Sequence, residues 1–545
     1  MTTPASHKPL GQPAVDHIRR EVSQVLAIYD LLYPTQTLNL FLYESNDPLS
    51  GKPSVIEGPV TLQASHLSPE FLGQMRRPAP REGAPVVTVM VSIPRAPLPS
   101  ERALTDAPWA PVRGLKAVHR LSPMLYETIR YQAEMARKRR SRRVHSTVSL
   151  ARSQGSQLFP PPAPADSATR PAILIGMHWL EVGGAEALAF DTVQWALEAG
   201  LRVFVVTSVP SIQRLRSKLP DHPDVRFIPL DRYLPHHLWP RFIEQLALTE
   251  NIRLVHIHHC TFLYESLPQL RTMMPWVRVI DSTHIVEYAD GGYPRISGVW
   301  SNYIDMHHVI SRQLVRYYRD DFHIVGKVRL GRMLTRPEGE ASPPDLRLQA
   351  GQKTLHVTFI GRLYYQKRPV VVVEAIRALA GWADRNQVDL RGTIVGEGPF
   401  RGAVTRLLQR YGLQDRVAIE PASADVPGLL GRSDILLLPS NNEGLALVCY
   451  EALAHGCIPI STDVGAQGEI IPPDLLVPVE PRAAVRGIVT AVDRLWRDGA
   501  FLAAQKAALQ AASRALAADP TAREVLMPLY RDAAQGHQTE ETGSR

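Results

Sequence analysis

The sequence predicts an α/β chain built from two doubly wound, Rossmann-like halves facing a central cleft, behind an N-terminal extension whose fold it leaves open. Three observations predict this. From Ile173 onward, strand-length apolar runs alternate with helical stretches, the pattern of parallel sheets with crossover helices. The alternation lapses between Arg332 and Gln352 and starts again at Leu355. A proline-rich run from Pro160 to Pro164, suited to neither helix nor central strand, sets off everything before it.

Taken in chain order, residues 1–158 form the extension. Within it, Val15 to Leu32 has helical spacing, Val86 to Ile93 is β-branched and strand-like, and Gly114 to Arg143 reads as one long helix. Residues 159–168 read as a stiff linker. In the first half, 169–335, Ile173 to Ile175 is a strand, and a helix follows from about Ala185 to Ala199 and stops at Gly200. Arg202 to Thr207, Leu254 to Ile257 and Val277 to Ile280 are further strands. Residues 336–352 are a connector. The second half, 353–480, has strands at Leu355 to Ile360, Thr393 to Val395, Val417 to Ile419, Ile435 to Leu438 and Ile458 to Ile460. Its helices fall near Pro369 to Trp382, Gly402 to Tyr411 and Val448 to His455. Residues 481–535 read as helices packing back across the halves, and 536–545 as a charged tail.

A chain of 545 residues exceeds what one core usually serves, and 45% apolar with 21% charged residues is ordinary for a globular protein. No stretch approaches the roughly 20 apolar residues of a membrane-spanning helix, and the first thirty residues lack the apolar segment of a signal peptide. Three cysteines, Cys260, Cys449 and Cys457, have neither disulfide-framework nor metal-ligand spacing. The expectation is a cytoplasmic chain, peripheral at the inner face of a membrane if it touches one. The net charge of +8 is largely local: removing Arg137, Lys138, Arg139, Arg140, Arg142 and Arg143 leaves +2. That cluster closes a helical stretch carrying Leu115, Val118, Leu121, Leu125 and Ile129, which suits an anionic membrane surface and equally a solvated basic run. Aromatic residues are not interleaved with it, so nucleic acid is not expected.

The segment from Ser440 to Ala452 carries the most chemistry. It follows an apolar strand and opens a helix, with Glu443 before the helix and Glu451 inside it. Amides of Gly444, Leu445, Ala446 and Leu447 at a helix start suit an anionic phosphate, while Glu451 and Glu443 could accept bonds from ribose and sugar hydroxyls. The same residues also fit a glutamate stabilised by the helix dipole plus a surface glutamate. Upstream, Gly361-Arg362-Leu363-Tyr364-Tyr365-Gln366-Lys367-Arg368-Pro369 ends the first strand of the second half. Arg362 and Lys367 could neutralise a diphosphate there, or be two solvated cations. Gly396-Glu397-Gly398 forms another turn at a strand end. In the first half, Gly183-Gly184 lies between a strand and its helix, where a backbone can approach a phosphate. His258, His259 and His284 follow strand ends on the cleft side, where packing histidines are also common.

Taken together, Glu443 to Ala452, His455 to Ala466, Glu469-Ile470-Ile471, the Gly361 loop and the Gly396 turn resemble the signatures of retaining glycosyltransferase family 4, of the GT-B fold. The resemblance covers about Ile173 to Ile471. It implies transfer of a sugar from a nucleotide-diphosphate sugar, used as substrate with no resident cofactor, to a glycan or lipid-linked acceptor in polysaccharide or cell-envelope assembly. It implies that Arg362 and Lys367 grip the diphosphate, that Gly396 and Gly398 lie where the base packs, and that Gly183 and Gly184 close over the ligands. Glu443 and His284 would then sit at the sugar, with His258 and His259 in an acceptor pocket. The implied reaction is a same-face substitution in which the leaving phosphate deprotonates the acceptor. Two glutamates about two helical turns apart, roughly 12 Å along an axis, do not straddle one anomeric carbon. No Asp-x-Asp metal motif stands in the second half, so metal independence is expected. Ala446 replaces a family glycine and Leu445 an aromatic, and Leu330-Gly331-Arg332-Met333 departs from the usual end of the first half. A catalytically silent GT-B scaffold, an epimerase and a phosphorylase are the alternatives.

Overall fold

The structure, a computed structural model, describes residues 12–45, 51–94, 113–141, 169–181, 184–287, 291–333 and 345–535. The expected linker, the tail and most of the connector lie outside the described residues, as do Gly183, Arg142 and Arg143.

Two parallel sheets dominate. In the first half, β5 (Ala172–Met177), β6 (Arg202–Thr207), β7 (Val225–Ile228), β8 (Ile252–His258), β9 (Arg278–Thr283), β10 (Met306–Val309) and β11 (Val328–Leu330) line up as β11-β10-β9-β8-β5-β6-β7. In the second, β12 (Thr354–Ile360), β13 (Asp389–Val395), β14 (Val417–Glu420), β15 (Ile435–Leu438), β16 (Ile458–Thr462) and β17 (Leu476–Val477) line up as β14-β13-β12-β15-β16-β17. Both orders run outward from the first strand of the half and then reverse, which is the doubly wound Rossmann arrangement. Strands such as Ile435–Leu438 are buried along their whole length because helices cover both faces of the sheet. The two Rossmann-like halves of a GT-B fold are therefore present, and each has a topological switch point, between β5 and β8 and between β12 and β15.

The extension is built, not irregular. The helix Gln12–Leu32 is followed by β1 (Thr37–Ser45), β2 (Ser54–Glu57), β3 (Phe71–Arg77) and β4 (Val86–Pro94), a mixed sheet ordered β2-β4-β1-β3. Its core is continuous with that of the first half: Ile28, Tyr29 and Val89 share one buried cluster with Trp239, Phe242 and Val255. Tyr29 donates to the Tyr233 carbonyl at 2.9 Å, and the buried Arg232 lies 3.3 Å from the Glu21 carboxylate.

One long helix from Gly114 to Arg143 is corrected to two, Arg113–Leu121 and Pro123–Ser141. Pro123 has no amide to continue the first helix, but its fixed φ suits the first turn of the second. The second helix packs on Pro369–Asn386 and Pro481–Arg497, both of the second half. The C-terminal helices divide likewise. Pro481–Arg497 and Gly499–Ala517 bury Ile488, Leu495 and Leu509 against the second half, whereas Ala522–Gln535 buries Leu526 and Tyr530 in the first.

Candidate active site

The site residues of the second half come from loops at its switch point. Gly361 to Arg368 leaves β12, and Pro439 to Ala446 leaves β15. Backbone bonds stitch these loops to each other and to the β13 turn: Leu363 N–H donates to Glu397 O at 2.8 Å, Gly361 N–H to Val395 O at 3.1 Å, and Asn441 N–H to Gln366 O at 2.9 Å. The turn needs glycine. Gly396 has φ +142, and a Cβ there would lie 2.0 Å from the Gly361 carbonyl oxygen.

Within this frame the Lys367 ammonium lies 2.6 Å from Glu443 Oε1, with both side chains largely buried. Arg362 is exposed, its guanidinium 5.6 Å from the Tyr364 ring centroid. It lies close enough to Glu186 of the first half to oppose the rise that burial imposes on that carboxyl. Glu443 does not belong to the helix. The helix runs Leu447–Ala454, so the span from Glu443 to Ala446 lies outside it and the two-turn spacing does not apply. Ala446, the helix cap, has no side-chain oxygen to offer the first-turn amides. Glu451 is exposed, and its carboxyl is held above the ordinary range by desolvation, partly offset by His455.

The halves meet at Gly444. A Cβ on Gly444 would lie 2.1 Å from the backbone oxygen of His284, so only glycine fits between the β15 and β9 loops. Leu445 is packed in the core cluster of the first half. The His284 backbone therefore abuts Gly444, and Gly184 begins the helix Gly184–Glu198 of the first half.

His258 ends β8 and His259 follows it. His258 Nε2 is 3.1 Å from Thr192 Oγ1, and His259, at φ 55, stacks flat on Tyr293 at 4.5 Å. His284 meets the His259 ring edge-on at 5.0 Å. His258 Nδ1, His259 Nε2 and both ring nitrogens of His284 are buried with no hydrogen-bond partner among the described residues. Burial, with neighbouring histidines, pushes all three well down, His259 to about 3. They are neutral imidazoles near pH 7, able to donate or accept but not to serve as cations.

Sequence reading misses several residues that shape this site. Tyr293 supports His259 and bonds His178 Nδ1 at 2.7 Å, and the Gly291-Gly292 pair before it is a signal of its tight approach. Trp179 Nε1 donates to Glu186 at 2.8 Å. Arg332, in the unusual sequence that ends the first half, is 2% exposed and lies 2.7 Å from Glu469 and 2.7 Å from Asp519. Among the described residues, no group of three or more His, Cys, Asp or Glu side chains could hold a metal ion.

Residues 354–498 match the profile of the family described as glycosyl transferases group 1. The chain is 26% identical over 309 residues to the gpi3 component of the phosphatidylinositol N-acetylglucosaminyltransferase of Schizosaccharomyces pombe, covering 53% of this chain and 65% of that one. It is 22% identical over 334 residues to a phosphatidylinositol N-acetylglucosaminyltransferase chain of Homo sapiens, covering 58% and 66%. The chain thus spans just under two-thirds of the length of these relatives. Among solved structures, sucrose-phosphate synthase from Thermosynechococcus elongatus is similar at a TM-score of 0.48 and 21% identity, covering 68% of this chain and 100% of that one. The glycosyl transferases group 1 profile thus falls on the second Rossmann half, and the relatives match a longer stretch of the chain.

Proposed function

We propose that this chain transfers a sugar, with retention, from a nucleotide-diphosphate sugar to a hydroxyl of a glycan or lipid-linked acceptor. The observation that carries the reading is the buried Lys367–Glu443 pair at the second switch point, next to Gly444, which abuts the His284 backbone of the first half. Ligands of open α/β sheets bind outside the carboxyl ends of the strands at such a point. Lys367 and Arg362 supply positive charge for a diphosphate, the amides near Leu447 add donors, and Glu443 and the neutral His284 offer hydrogen-bonding groups to a sugar. On this reading the leaving phosphate takes the acceptor proton, and the two cations stabilise its charge without a divalent ion. Arg362, Lys367, Glu443 and His284 would touch the reacting groups. Gly184, Gly396, Gly398, Gly444 to Leu447 and Glu451 would shape the donor pocket, with His258 and His259 on the acceptor side.

The relatives named for phosphatidylinositol support a lipid-linked acceptor. So does the outer face of the helix pair in the extension, where Leu121 is 73% exposed, Leu125 41% and Ile129 41%, ahead of the exposed Arg137 and Lys138. Apolar side chains followed by cations suit an anionic membrane surface. Vesicles containing phosphatidylserine should co-sediment the protein, and neutral replacement of the six cations from 137 to 143 should release it.

The deciding experiment is calorimetric binding of UDP-, GDP- and ADP-sugars in EDTA, comparing wild type with Glu451→Ala. Selective binding by wild type that the variant loses supports the donor site and names the donor. Binding of none of them favours a silent scaffold. Hydrolysis or epimerisation without any acceptor-dependent transfer would favour the epimerase reading.

A further inference from the structure

Resting on that donor-site reading, we propose that the extension's second helix, Pro123–Ser141, positions the Arg362–Arg368 loop, with Arg130 as the positioning residue. The family profile begins at residue 354, so this helix comes from outside the matched part of the chain. It nonetheless packs beneath the loop that carries both diphosphate-facing cations.

The contacts are specific. The Arg130 guanidinium lies over the Tyr365 ring, 3.1 Å from its centroid, and Glu134 accepts the Tyr365 hydroxyl at 3.1 Å. Arg130 and Glu134 are themselves 3.6 Å apart. At the end of the loop, Arg368 is fully buried, its guanidinium 5.5 Å from the Tyr131 ring centroid, and it donates to the Val479 carbonyl. Glu127, fully buried on the same helix face, lies close enough to Arg368 and Arg130 that both oppose the rise burial imposes on its carboxyl.

The loop needs such support. Tyr365–Lys367 is a single 3-10 turn, and Arg368 follows it in the left-handed region at φ 50. On the cleft side it is held through Gln366, which binds Asn441 and Asn442. On the other side it is held by the helix. Tyr365 lies between the two donor cations in sequence, so a ring that shifts carries Lys367 with it. A cation stacked on an aromatic ring and desolvated on one side is among the stronger contacts a surface helix can make.

The test is calorimetric titration of the full chain with UDP, GDP and ADP and with the matching monophosphates. In Arg130→Gln, affinity for the preferred diphosphate should fall about tenfold, while its monophosphate binds within about twofold of wild type. Arg130→Lys, which keeps a cation over the ring, should recover most of the loss. A helix that only stabilises the fold would weaken both ligands alike, so equal losses, or no loss in folded Arg130→Gln, overturn the proposal. Should Arg130→Gln not fold, Tyr365→Phe removes only the Glu134 bond and should show the same diphosphate-selective loss at about threefold; its absence again overturns the proposal. Wild type binding neither ligand removes the donor site itself, an outcome separate from any behaviour of the variants.

Discussion

Lys367 and Glu443, separated by 76 residues, come together through two loops at one switch point, with Nζ 2.6 Å from Oε1. Neither charge is free to be removed alone. Lys367→Met leaves the Glu443 carboxylate buried without its partner and should cost about 3 kcal/mol in urea unfolding. The double variant Lys367→Met/Glu443→Gln should regain most of that stability while still failing to bind donor. If the double variant is no more stable than the single one, the pair is not the source of the loss.

Glu127 gives the fold a pH dependence of known sign. Burial, partly offset by Arg368 and Arg130, raises its carboxyl from an ordinary value of 4.5 to about 7. Below pH 4.5 the group is neutral in folded and unfolded chains alike. Between pH 4.5 and 7 the unfolded chain ionises while the folded chain keeps its proton, so stability falls as pH rises, by about 3 kcal/mol in total. Glu127→Gln should match wild type near pH 4.5 and exceed it at pH 8. Parallel stability profiles for the two proteins would contradict this.

Arg332 links three parts of the chain. It bonds the Ile310 carbonyl at 3.2 Å and lies 2.7 Å from each of Glu469 and Asp519. Replacing it with methionine removes the guanidinium that the largely buried Glu469 and Asp519 carboxylates share and should cost about 3 kcal/mol. Chemical denaturation followed by tryptophan fluorescence measures this directly. A loss under about 1 kcal/mol would mean that water reaches the junction.

Gly444→Ala tests the contact between the halves. Its methyl group would meet the His284 carbonyl at 2.1 Å, in backbone that cannot rotate away. The strain should cost about 1–3 kcal/mol or part the halves. In small-angle X-ray scattering, parting the halves would appear as a larger radius of gyration. An unchanged radius together with an unchanged melting temperature would show that the loops yield instead.

How much of this is legible in the sequence depends on how each part is stabilised. Strands such as Ile435–Leu438 are legible because burial on both faces demands an unbroken apolar run. Met306–Val309 escapes notice because two of its four residues are histidines. They are fully buried, and partners outside the strand satisfy them: His307 by Asp281, Ser297 and Ser301, and His308 by Ser282 and the Gly331 carbonyl. Val225–Ile228, Val328–Leu330 and Leu476–Val477 are too short for periodicity to register. The loops after β12 and β15 are legible because glycine and charged residues cluster there just after apolar strands. Arg130 on Tyr365 has no local signature at all, since the stacking joins residues 235 positions apart and either would be unremarkable alone.

The path of the chain has a consequence for synthesis. Residues 12–94 build onto the first half, 113–141 onto the second, 169–333 onto the first, 345–517 onto the second and 522–535 onto the first again. Each half is assembled from pieces made at different times. The buried His256 obtains its 2.6 Å partner, Tyr530, only after the whole second half has been translated. A ribosome-bound chain stalled at residue 500 would hold a first half whose core lacks Leu526 and Tyr530, leaving apolar surface that a chaperone can bind. Grafting either half from a relative would likewise require exchanging several separate stretches at once.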